Sequence, residues 1–172
     1  MLYMFFAYGF EEVEAIATLD VIRRANIEIK SVGIGAKEVC GSHGIKVVCD
    51  CSVDEINDYD VDGIILPGGM PGTLNLQNSK EVNEAIDICL NNKLIAAICA
   101  APMILGRKGI LSGKNAVCFP GFEEDLVGAT VSEKFVCTDG NIITAKGMGS
   151  AINFGLAIVE YFKDFETADK LR

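Results

Sequence analysis

The chain has 172 residues, half of them apolar, and a formal net charge of -9. That apolar content excludes a disordered chain and suits one domain, residues 1–172, with a full core. The acidity, with no Lys/Arg cluster, excludes a nucleic-acid partner, which needs a basic face to neutralise phosphates; it reads as a solubility device. Leu2 to Ala7 is predicted as the first strand; the Met1–Ala7 stretch lacks a basic n-region and meets Glu11-Glu12 too soon for a secretory signal. Glu12 to Ala25 reads as a helix with Val13, Ile16, Ala17 and Val21-Ile22 on its apolar side. Ile29 to Ile34 is a second strand, and Ile45 to Val48 a short one after the turn-like Gly41-Ser42-His43-Gly44. Gly63 to Leu66 is a buried strand stopped by Pro67-Gly68-Gly69. Ser79 caps a helix to Asn92, with Val82, Ala85, Ile86 and Cys89-Leu90 at core spacing.

Leu94 to Ile98 is uncharged throughout and reads as a strand buried on both faces. Leu94 to Leu105 is the longest apolar run, too short to span a bilayer, so no membrane partner is expected. Phe135 to Thr138 and Asn141 to Thr144 form a hairpin signal about Asp139-Gly140. A last helix, Ala151 to Phe162, follows Gly147-Met148-Gly149. This alternation predicts an α/β fold with a mainly parallel sheet and helices on both faces. In such a fold sites form outside the carboxyl ends of the strands. The Tyr8–Glu11 loop, Pro67-Gly68-Gly69 and Cys99 all lie there.

Cys99 ends its strand, and Ala100-Ala101-Pro102 then opens a helix, the layout of a nucleophile elbow. A helix from Ala100 would aim free N–H groups and a positive dipole end at the sulfur, favouring the reactive thiolate. The alternative is a buried core cysteine that packs as a small hydrophobe. Lowering a thiol pKa from ~8.5 to ~5.5 takes about 4 kcal/mol, more than the ~2 kcal/mol upper limit for a helix end, so a second group is needed. Glu14, one turn into the first helix, is the candidate: if buried it keeps its proton and donates an O–H···S bond. Against this, Glu11, Glu12 and Glu14 also suit a helix N-terminus as ordinary acidic residues. Pro67-Gly68-Gly69 lets backbone approach a ligand and offers an N–H to an oxyanion, or is only a turn. It lacks the lysine and hydroxyl of a phosphate loop. Seven cysteines at irregular spacing and one histidine, His43, point to reduced thiols in the cytoplasm and to no metal. His43 by itself reads as a solvated turn residue.

Five stretches in order, Gly9-Phe10-Glu11-Glu12-Val13-Glu14, Asp20 to Ala25, Leu66-Pro67-Gly68-Gly69, Ala96 to Pro102 and Phe154 to Glu160, resemble the ThiJ/PfpI superfamily in its Parkinsonism-associated deglycase (DJ-one) branch. The resemblance implies a flavodoxin-like three-layer sandwich, a homodimer and no cofactor. It places Cys99 on the elbow cysteine, Glu14 on the protonated glutamate bonded to it, and Gly69 and Ala100 on the backbone donors facing the sulfur. Arg24 matches an arginine near the dimer interface and the site. His43 stands where relatives often carry an arginine supplied by the other subunit. The chain departs from the pattern where Phe119 replaces the histidine of glyoxalase-type relatives, Met148 a proline and Ala101 a glycine. The extra C-terminal segment of human-like members is expected to be missing beyond Arg172. Ala100 removes the histidine of protease-like relatives, and the late His-x-Glu pair of class I amidotransferases is lacking. Two readings follow: chemistry on small reactive carbonyls of the methylglyoxal class, with Cys99 and Glu14 catalytic and Gly69, Ala100, Arg24 and His43 binding, or a redox-responsive stress protein or chaperone acting through oxidation of Cys99. The thiamine-biosynthesis role attached to the superfamily has no support in these residues.

Overall fold

Period-two alternation along the first strand decides how the layers stack. A computed structural model of the chain describes residues 1–56 and 61–172. In β1 (Leu2–Phe6), Leu2, Met4 and Phe6 belong to one core cluster, and Tyr3 and Phe5 to another on the opposite face of the sheet. The first cluster is closed by Ala15, Leu19 and Ile22 of α1 (Glu12–Arg24) and by Phe154 and Ile158 of α5 (Ala151–Phe162). The second is closed by Leu76 of α2 (Gly72–Asn78), Val82 and Ile86 of α3 (Lys80–Cys89) and Ile104 and Leu105 of α4 (Pro102–Arg107). The result is helix–sheet–helix, and the strands between are apolar on both sides because both faces are covered.

The sheet adds β2 (Ile29–Gly33), β5 (Cys51–Ser52), β6 (Gly63–Leu66), β7 (Leu94–Ile98), β10 (Val136–Asp139) and β11 (Ile142–Ala145), in the order β10-β11-β7-β6-β1-β2-β5. Every neighbouring pair is parallel except the β10–β11 hairpin. Two small ribbons lie outside it: β3 (Glu38–Cys40) with β4 (Lys46–Val48), antiparallel, and β8 (Asn115–Ala116) with β9 (Thr130–Val131), parallel. Parallel β1, β6, β7 and β11 deliver the segments after Phe6, Leu66, Ile98 and Ala145 to one edge of the sheet, where the site forms. None of the helices among the described residues is long and apolar enough to cross a membrane.

Differences from the expected elements have local causes. The long helix after Ser79 ends at Cys89, because Asn92 takes a left-handed φ of 64° that turns the chain into β7. Helix α2 is short and rich in Gly, Thr and Asn, so its sequence carries little helical signal. Helix α6 (Phe165–Lys170) is begun by Asp164, whose side chain accepts from the Thr167 N–H. The helix after the elbow starts at Pro102 and not at Ala100.

Helices α1 and α5 meet through Gly155. A Cβ there would lie 2.9 Å from Val21 Cβ and 3.0 Å from Val21 Cγ1. Gly155→Leu is therefore expected to destabilise the fold by about 1–3 kcal/mol through overpacking, read as a lower urea midpoint; an unchanged midpoint would show that the two helices separate freely.

Candidate active site

Strand β7 is buried along its whole length, and the chain reverses at its last step. Cys99 sits at φ 65°, a left-handed conformation that costs a non-glycine residue about 1–3 kcal/mol. Bonds on both sides hold it there. Its N–H donates to the Ala145 carbonyl at 2.9 Å, and its carbonyl accepts from the Phe119 N–H at 2.8 Å. Ala101 N–H then closes on the Ile98 carbonyl at 3.0 Å, and Pro102 begins α4. This is the sharp strand-to-helix turn of a nucleophile elbow, with a half-buried thiol at its apex.

Three groups reach the sulfur: the N–H of Gly69, the N–H of Ala100 and the carboxyl of Glu14. The Pro67-Gly68-Gly69 loop is compact because its neighbours leave no room. A Cβ on Gly68 would lie 2.5 Å from Cys99 Cβ and 2.6 Å from Glu14 Oε2; one on Gly69, at φ 91°, would lie 2.4 Å from the Glu11 nitrogen. Gly68 N–H donates to Glu14 Oε2 at 3.0 Å, and Glu11 N–H donates to the Gly68 carbonyl at 2.9 Å. The Glu11 carboxylate caps α1 by accepting the Glu14 N–H at 2.7 Å. Gly68 and Glu11 thus position Glu14; sequence reasoning had singled out neither for that role, and the Pro-Gly-Gly run was the one available signal.

The electrostatics depart from the expected picture. Burial, the facing charge of Glu14 when ionised and its hydrogen bond push Cys99 up to about 12, against the pull of the Ala100 and Gly69 N–H groups. The anticipated helix-end contribution is curtailed because α4 starts three residues beyond the sulfur's residue. Burial also raises Glu14, to about 7, with the charge of Glu11 adding to it. Between pH values of about 7 and about 12 thiol and carboxyl therefore hold one proton between them. A negative charge on Glu14 would have one backbone donor, Gly68, together with the Cys99 S–H, and would face Glu11. On sulfur it has two backbone donors, and a protonated Glu14 supplies a third. The backbone donors favour charge on Cys99 with the proton on Glu14, whereas burial, which raises the thiol to about 12 and the carboxyl only to about 7, favours the proton on sulfur.

His43 and Arg24 are not brought to the sulfur within this chain. His43 is 71% exposed at its side chain and is held by Glu12, which accepts from its N–H at 2.7 Å and bonds its Nδ1 at 2.9 Å. Ser42 Oγ and the Ile45 N–H also donate to Glu12. Burial alone would raise the Glu12 carboxyl, but the bonds from His43 and its neighbours together lower it to about 2, and Glu12 in turn raises His43. Glu11, Glu12 and His43 bring three ligating atoms within 4.8 Å, yet both Glu12 oxygens already fasten the turn. Arg24 pairs with Asp20 at 2.6 Å, ten residues along α1 from Glu14, about 15 Å at 1.5 Å per residue. The resemblance had placed this arginine near the site; within one chain the length of α1 keeps it away.

Fold and site together define a flavodoxin-like α/β protein with a cysteine elbow faced by a buried glutamate. The chain belongs to the DJ-1/PfpI family, whose model matches residues 1–161. It is 37% identical over 158 residues to Protein dj-1beta of Drosophila melanogaster, covering 90% of this chain and 84% of the relative. It is 36% identical over 174 residues to the Parkinson disease protein 7 homolog of Danio rerio, covering 96% and 91%. Protein DJ-1 homolog A of Arabidopsis thaliana is 37% identical over 170 residues, covering 96% of this chain, but the chain spans only 43% of that protein's length. Oxidized DJ-1 of Toxoplasma gondii superposes with a TM-score of 0.94 at 32% identity, covering 99% of this chain and 94% of that one.

The donor count makes a signed prediction. Glu14→Leu removes a donor and leaves the burial, so the midpoint of Cys99 alkylation by iodoacetamide against pH should rise by about one unit. A fall would place the shared proton on sulfur in the native protein.

Proposed function

We propose that this protein acts without a cofactor on small reactive carbonyls, through addition of the Cys99 thiolate. The observation that carries this reading is the sulfur's surroundings: two fixed N–H donors and a buried carboxyl raised to about 7. In the first step the C–S bond forms, the carbonyl π pair moves to oxygen, and that oxygen takes the Glu14 proton to give a hemithioacetal. Negative charge leaves the sulfur in this step, so the Gly69 and Ala100 N–H groups become available to the oxygen. With a 2-oxoaldehyde, a proton must then pass from the aldehyde carbon to its neighbour, and water releases a 2-hydroxy acid. The net change is addition of one water, and no oxidant is consumed.

Glu14 has to supply both proton transfers, since Phe119 has no titratable group. Methylglyoxal turnover should therefore be weak, and Phe119→His should raise kcat by 10-fold or more, within the ~10²–10⁴-fold range of a positioned acid–base group. Lactate formation measures this, with Cys99→Ala as the inactive control. Wild-type turnover equal to that of histidine-bearing relatives would show that Glu14 suffices.

A second reading, a redox-responsive protein, rests on exposure. Cys99 and Cys40 are half-buried, while the other five thiols are buried. The N–H groups facing Cys99 would hold the oxygens of a sulfenic or sulfinic acid. Peroxide titration with peptide mapping should modify Cys99 first, and prior oxidation of Cys40 would remove this reading. The homodimer is proposed on the apolar surface that Val13 and Ile16 of α1 form with Ile45, each 41–54% exposed. A cytoplasmic location is proposed with it.

A further inference from the structure

Beside the elbow lies a groove of about 290 Å³ whose walls include Phe119, Pro120, Phe135 and Met148. Phe119, Phe135 and Met148 are 47%, 66% and 58% exposed, so three large apolar side chains face solvent together. We propose that this groove receives the side group of the aldehyde, and that the chain favours aromatic 2-oxoaldehydes over methylglyoxal. The inference rests on the reading that Cys99 adds to a carbonyl.

The groove approaches the reacting pair at Gly147, which forms part of its lining. A Cβ placed on Gly147 would lie 3.1 Å from Phe119 Cδ2 and 3.8 Å from Glu14 Oε1. The groove floor therefore separates the Phe119 ring from the carboxyl that faces the sulfur, and a side chain there would fill that gap. The floor is also fixed: Gly147 N–H donates to Ser150 Oγ at 3.1 Å, and Ser150 Oγ donates back to the Gly147 carbonyl at 2.7 Å. Phe119 is tied to the elbow itself by its N–H on the Cys99 carbonyl. Lys146, the one cation at the rim among the described residues, already lies over the Phe135 ring, its Nζ 5.7 Å from the centroid. The walls thus offer an arriving group apolar contact, which suits a neutral aryl group. A methyl group leaves most of this volume unfilled, whereas a phenyl ring covers the exposed faces of Phe119 and Met148. Addition is the step given above: C–S bond formation, the π pair to oxygen and the Glu14 proton to that oxygen, with nothing oxidised and no group leaving.

Reversible addition shields Cys99 from iodoacetamide and requires no turnover, so it tests the groove separately from catalysis. Phenylglyoxal should half-protect Cys99 at a concentration about tenfold or more below that of methylglyoxal, as expected for an apolar group entering an apolar pocket. Met148→Asp, at an exposed position, should bring the two concentrations within about twofold. Equal protection in the wild type, or a preference untouched by Met148→Asp, overturns the groove assignment while leaving carbonyl addition standing. Failure of both aldehydes to protect overturns the addition reading and the groove with it.

Discussion

A thiol and a carboxyl buried side by side with one proton between them is the constraint on which the site depends. Neither group can be charged there without donors, and the loops around them supply those donors from the main chain. Gly69 and Ala100 serve the sulfur, Gly68 serves the carboxyl, and Glu11 fixes the first turn of the helix that carries it. Glycine at 68 and 69 follows from the same crowding, since a Cβ at either position would collide with the pair or with the backbone that orients it. The sheet makes this convergence possible by ending four parallel strands at one edge.

The layered architecture was legible because alternation of short apolar strands with amphipathic helices is a strong pattern, and β1, β6, β7 and α5 fall within a residue or two of their predicted bounds. Helix α2 was not legible, because Gly72, Thr73 and Asn75 are poor helix formers held in place by packing against the sheet. Nor were the two-residue strands β5, β8 and β9, which are too short to show a period.

At the site, Cys99 and Glu14 were both candidates from the residues alone, Cys99 from its position at a strand end and Glu14 from the need for a second group beside the thiol. The resemblance to a family favoured them over a core cysteine and an ordinary helix-end acid. What the chain could not reveal was the balance of charge. Whether a carboxyl lowers or raises a neighbouring thiol depends on which group holds the proton, and that depends on donors brought from Gly68 and Gly69, more than fifty residues from Glu14. The short reach of α4 is likewise a matter of three-dimensional length that residue type does not encode.

The left-handed backbone at Cys99 has a consequence for the whole molecule. Glycine adopts φ 65° without penalty, and cysteine does not. By backbone geometry alone the elbow is a glycine position occupied by a thiol. The native sequence therefore concedes folding stability at the residue that carries its chemistry, and a chain relieved of that chemistry would have the more relaxed turn. Reactivity and robustness are opposed at this single φ angle.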